Sequence, residues 1–92
     1  MQRRCLMINP SDTVVMVLED AKKGDTIQTV KGEISLLEDV EFAHKVSIVP
    51  MKQGDPVIKY GEEIGYMLVD APAGTWIHNH NMGCDRGQKQ KE

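Results

Sequence analysis

Leu18-Glu19-Asp20-Ala21-Lys22-Lys23-Gly24-Asp25-Thr26-Ile27 is a stretch whose form returns along the chain. It recurs as Leu37-Glu38-Asp39-Val40-Glu41-Phe42-Ala43-His44-Lys45-Val46 and, shortened, as Val49-Pro50-Met51-Lys52-Gln53-Gly54-Asp55-Pro56-Val57. A last copy is Val69-Asp70-Ala71-Pro72-Ala73-Gly74-Thr75-Trp76-Ile77. Each runs from an apolar residue through a polar connector to a glycine or alanine, then to an apolar residue three positions on. Such a stretch is a strand end, a tight turn whose glycine can take positive φ, and the start of the next strand. Ala43 replaces the glycine in one copy, so that corner is expected to keep an ordinary backbone. The spacing of the copies is irregular, which argues against a solenoid. One corner device used repeatedly predicts a single all-β domain of short, kinked strands.

The strands follow from the corners. Residues 13–18, Thr-Val-Val-Met-Val-Leu, are apolar on both faces and read as a central strand. Lys31-Gly32 and Gly61-Glu62 are hairpin signals between short strand-forming runs. Residues 37–40 are expected to make one helical turn. No segment sustains a helical period, so no helix longer than about two turns is expected. Residues 1–82 form the domain in this reading, and 83–92 a flexible C-terminal tail.

Composition narrows the function classes. A 92-residue chain is one domain with a small stability margin. Its net charge of −3, with acidic and basic residues interspersed, gives no electrostatic footprint for nucleic acid. No apolar run approaches the ~20 residues needed to span a membrane. Arg3-Arg4 is followed by only four apolar residues before Asn9-Pro10, which is too few for a signal peptide. Cys5 and Cys84 stand apart with no CxxC, and reduced thiols in a cytoplasmic protein are expected.

Chemistry concentrates near the end. Trp76-Ile77-His78-Asn79-His80-Asn81 carries two of the three histidines. If the segment is a strand, His78 and His80 share a face, with Asn79 and Asn81 opposite. Paired imidazoles can ligate a metal, handle a proton or bind an acidic group. A metal would need a third donor, and no carboxylate lies at a matching position, so no metal site is assigned within this chain. Solvated residues at a strand end are the plain alternative. His44 and Lys45 follow a corner and could form an anion-binding pair. Trp76 reads as a core or interface anchor, and Lys59 and Tyr60 as ordinary hairpin residues.

Three stretches, Phe42-Ala43-His44-Lys45-Val46, Pro56 to Gly65 and Trp76 to Asn81, together resemble the N-terminal SAF domain of the altronate and galactarate dehydratase family. The same family includes the small subunit of sulfolactate sulfo-lyase. The resemblance spans residues 8–82 and implies a β-clip fold. It implies a small subunit or N-terminal domain of a hydro-lyase acting on an acidic sugar, inactive alone and completed by a large catalytic subunit. It further implies a divalent metal of the iron type, held mainly by that large subunit. His78 and His80 become the expected catalytic groups, and His44, Lys45 and Asn81 the expected substrate-binding groups. One departure stands out, because the family's Gly-His-Lys is Ala43-His44-Lys45 here. Sulfite elimination and a non-catalytic SAF-type binding module are the alternatives. A surface made for a partner also predicts self-association of the isolated chain.

Overall fold

The computed structural model describes residues 1–7 and 9–84, so most of the expected tail lies outside the described residues. Among the described residues there is no helix, and the chain is all-β, as expected. The strands are β1 (Gln2–Arg3), β2 (Cys5–Leu6), β3 (Val14–Val17), β4 (Thr26–Thr29), β5 (Gly32–Ser35), β6 (Lys45–Ser47), β7 (Pro56–Lys59), β8 (Glu62–Met67), β9 (Trp76–Ile77) and β10 (Met82–Gly83). They make three small sheets, ordered β1-β4-β5, β10-β8-β7 and β2-β3-β6-β9. The run at residues 13–18 does form a central strand, since β3 is paired on one side with β2 and on the other with β6.

The corners explain this division. Gly24, Gly54 and Gly74 adopt φ of 92°, 90° and 94°. At each, the N–H reaches a carbonyl on a distant segment: Gly24 to Leu36, Gly54 to Met67, Gly74 to Ser47. The expectation for Ala43 was wrong. Its φ is 73°, the same left-handed corner without a glycine. Bonds on all sides hold it there: Ala43 N–H donates to Val17 O, Phe42 N–H to Asp20 Oδ1, and His44 N–H to Glu41 O. A left-handed L-residue costs roughly 1–2 kcal/mol, while an added glycine loosens the unfolded chain by roughly 0.4–1 kcal/mol. Ala43→Gly should therefore raise stability by about 0.5–1 kcal/mol. A denaturant midpoint that falls would show that the corner carries no such strain.

The expected helical turn at residues 37–40 is also absent. Val40 and Ala21 instead form an antiparallel bridge, each N–H donating to the other's carbonyl at 2.9 and 2.8 Å. A long-range pairing overrides the local preference. Both hairpin turns fall one residue earlier than expected. Val30-Lys31 and Tyr60-Gly61 are the turn residues, with Thr29 opposite Gly32 and Lys59 opposite Glu62. Tyr60 and Gly61 take φ of 57° and 79°, the two left-handed positions of a type I′ turn. Buried Asp12 steadies that tip by accepting the Gly61 N–H at 2.7 Å.

The four corners work as two clasps. Corners one and two exchange carboxylates: Asp39 accepts the Lys23 N–H and Asp20 accepts the Phe42 N–H, both at 2.9 Å. Corners three and four repeat the plan with the Met51–Ala71 bridge and Asp70 on the Gln53 N–H. Pro50 stands where the fourth carboxylate would be. Each clasp encloses a hairpin and its own core. One core gathers Val15, Val17, Ala21, Ile27, Leu36, Val40, Val46 and Ile48, and the other Val14, Met51, Val57, Met67, Ala71 and Ile77. This doubled clasp fits the expected β-clip. The β7–β8 pairing carries a register shift between Val57 and Ile58.

An ionic tie fastens the N-terminus. Arg3 Nε donates to Asp25 Oδ2 at 2.8 Å, and the Lys22 N–H donates to the same oxygen at 2.9 Å. The Arg3 guanidinium first, then the Lys22 N–H, holds the Asp25 carboxyl down to about 2. An unfolded Asp titrates near 3.9. The folded value is the lower one, so the contribution is full above the unfolded value. It is lost as pH falls from about 4 towards 2. Asp25→Asn should flatten the acid limb of a melting-temperature profile over that window, and an unchanged limb would refute the assignment.

Candidate functional site

The site lies where β6 and β9 pair, with Val46 opposite Trp76 and Lys45 opposite Ile77. His44 enters from the second corner, one residue before β6. The expected strand through Asn81 ends at Ile77, and residues 78–81 turn instead. Asn81 is the reason. Its side chain is buried, accepts the His78 N–H at 2.9 Å and donates to Trp76 O at 2.9 Å, while its backbone N–H bonds His78 O. The turn leaves His78 and His80 exposed, and Asn81 latches it from inside. Asn81→Ala should cost ~2 kcal/mol, the scale of buried backbone groups left unpaired. It should also change the near-ultraviolet dichroism of Trp76, the chain's one tryptophan. A variant with the parent's stability and spectrum would show that the latch is dispensable.

The turn still brings the imidazoles together, around an indole. The His78 ring stacks on Trp76 with centroids 5.4 Å apart and planes at 12°. The His80 ring is 5.0 Å from Trp76, and the His44 ring lies 5.5 Å from Trp76 and 5.6 Å from His78. The Trp76 Nε1–H donates to His44 Nδ1 at 3.1 Å. By contrast, the rings of His78 and His80 have no hydrogen-bond partner among the described residues. Trp76 is half-buried against the first core, so the platform is fixed from below. Glu38 Oε2 accepts the Trp76 backbone N–H at 3.0 Å. The sequence reading of Trp76 as an anchor missed this central place. The signal was present, because Trp76, His78 and His80 are spaced two apart.

Beside the platform lies a shallow cavity of about 260 Å³, lined by Asp39, Glu41, His44 and Trp76. Glu41 Oε1 is 3.9 Å from His44 Nε2 on a side chain 84% exposed, too far for a hydrogen bond. Lys45 is not part of this group. It opens β6 opposite Ile77, so its side chain takes the face of Ile77, away from that of Trp76. There it is half-buried, and burial first, then nearby Lys59, pushes its ammonium down. Lys59 Nζ sits 4.9 Å over the Tyr60 ring.

For a metal the donors do not fit. Among the described residues no group of three or more His, Cys, Asp or Glu is placed to hold an ion. The imidazoles surround an indole instead of converging on a point, and one nitrogen of His44 is already engaged. The described thiols, Cys5 and Cys84, are both free. No helix among the described residues is long and apolar enough to cross a membrane.

Two altronate dehydratases are similar over 76 residues, covering 83% of this chain: that of Escherichia coli (strain K12) at 36% identity and that of Bacillus subtilis (strain 168) at 32%. The chain spans only 15% of the length of either. The (2R)-sulfolactate sulfo-lyase subunit alpha of Paracoccus pantotrophus is 49% identical over 48 residues, 52% of this chain and 72% of that subunit. Residues 3–85 match the family described as the altronate/galactarate dehydratase SAF domain. That range takes in both clasps, all three imidazoles and the indole between them, and the chain belongs to this family.

Proposed function

We propose that this chain forms one wall of the active site of a hydro-lyase that removes water from an acidic sugar, and that a larger catalytic chain or domain completes the site. The observation that supports this most is the grouping of half-buried His44 with exposed His78 and His80 around Trp76, in a family named for dehydratases. Elimination from a hydroxy carboxylate must remove the α-proton and assist the leaving hydroxyl. Imidazole is the side chain suited to move a proton near neutral pH. His78 and His80, exposed and with ring nitrogens that have no hydrogen-bond partner among the described residues, are assigned that work, and His44 contacts the substrate. Asn81 serves by holding the turn.

The same geometry supports dependence on a partner. Asp39 and Glu41 border the cavity, and their charge disfavours an anion bound by this chain alone. Cationic groups, and a divalent metal if one takes part, must come mainly from the larger chain. A second reading, elimination of sulfite, is favoured by the 49% identity to the sulfo-lyase subunit alpha.

The test is reconstitution. The chain is mixed with a large dehydratase chain lacking its SAF segment and assayed on altronate, galactarate and sulfolactate. Turnover by the mixture, and none by either component, is expected. A large chain that turns over equally well alone would remove the proposal, and turnover of sulfolactate only would select the second reading.

A further inference from the structure

The bond between Trp76 and His44 fixes more than a position. An indole N–H is a donor and never an acceptor. His44 Nδ1, which receives it at 3.1 Å, must therefore be the unprotonated nitrogen of a neutral ring. The ring proton is left on Nε2. That nitrogen faces Glu41 at 3.9 Å, beyond hydrogen-bond reach, next to the cavity lined by Asp39, Glu41, His44 and Trp76. His44 thus presents one N–H and no lone pair to whatever occupies the cavity. His78 and His80 are different, since their rings stack on or tilt against Trp76 without bonding through nitrogen.

We infer that Trp76 is a positioning residue that locks His44 in the Nε2–H tautomer, and that His44 serves as a fixed hydrogen-bond donor to a hydroxyl or carboxylate oxygen of the ligand. This division of labour rests on the proposed function above. His44 orients the ligand. Proton movement falls to the two imidazoles whose nitrogens have no hydrogen-bond partner among the described residues. To act as a base His44 would have to release the indole, because its outward nitrogen already carries a proton. The charged and titratable groups around it are Glu41 and Asp39 at the cavity, Glu38 on the Trp76 backbone, and His78 at 5.6 Å between ring centroids. Lys45 lies across the strand.

The lock has a spectroscopic signature. In the full chain with ¹⁵N-labelled histidine, a long-range proton–nitrogen spectrum above the usual histidine range, at about pH 8.5, separates the two nitrogens. His44 should show a single tautomer, with a larger Nε2–H share than the same residue in the denatured chain. Trp76→Phe keeps a ring but removes the N–H, and His44 should then become a mixture. A mixture in the parent chain, or no change in Trp76→Phe, would overturn the lock whatever the activity of any complex.

The donor role has its own test in the reconstituted enzyme. His44→Gln places an amide N–H near the position of Nε2 and cannot exchange a ring proton. It should hold turnover within about tenfold of the parent, the scale of one hydrogen bond. His44→Ala should lose ~10²-fold, the lower end of the range for a group acting on the reacting atoms. Equal, severe losses in both would assign His44 to proton transfer and overturn the donor role. Absence of turnover in the parent mixture would fall on the proposed function, leaving the tautomer spectrum to decide the lock.

Discussion

His78→Ala and His80→Ala should each cut turnover of the reconstituted enzyme by ~10²-fold or more, the usual contribution of a positioned acid or base. Both side chains are exposed, so folding should barely change. The stacked geometry sharpens the expectation. His78 stacks on Trp76 at 12°, a contact through the ring face that does not engage the nitrogens at its edge. His80 tilts at 48° against the same indole. A platform that orders two imidazoles without consuming their nitrogens suits groups that must gain and lose protons. Turnover unchanged in both variants would return them to plain solvated residues.

The largest effect on stability is expected from Gly74→Ala. Gly74 has φ of 94°, and a Cβ there would overlap the carbonyl oxygen of Ser35. Left-handed strain adds roughly 1–2 kcal/mol and the overpacking another 1–3 kcal/mol, for a total of about 2–5 kcal/mol. The backbone cannot yield cheaply, since Gly74 O accepts the Leu37 N–H and Gly74 N–H bonds Ser47 O. Gly54 has nearly the same φ of 90° but open space around it, so Gly54→Ala should lose only the strain. Chemical denaturation of the two variants side by side separates strain from clash. Equal losses would mean that the corner near Ser35 opens freely.

Much of the fold was legible because the corners are local chemistry. A glycine between a polar connector and an apolar restart needs no distant partner to be recognised. What failed depended on distance. The helical turn at residues 37–40 gave way to the Ala21 bridge, and Ala43 was forced left-handed by bonds from Val17 and Asp20. Strands β1, β2 and β10 are two residues long, too short to carry a period. The site divides in the same way. Spacing pointed to His78 and His80, although a turn and not a strand presents them. His44 joined them only through the β6–β9 pairing, which no local signal encodes. The bonds of Asn81 to its own turn were not legible, because a residue type does not show where its amide will be spent.

The two clasps bear on how such a site could arise. Ala21, Ile27, Leu36, Val40 and Val46 in one half correspond to Met51, Val57, Met67, Ala71 and Ile77 in the other, all buried. In that correspondence His44 occupies the place of Thr75, and Lys45 the place of Trp76. The chain has the form of an internal duplication whose halves agree in the core and diverge at the surface. One half gives the imidazole that is held. The other gives the indole that holds it and the two imidazoles beyond. The group of imidazoles around the indole belongs to neither half alone. It lies where a near-symmetric body stops being symmetric.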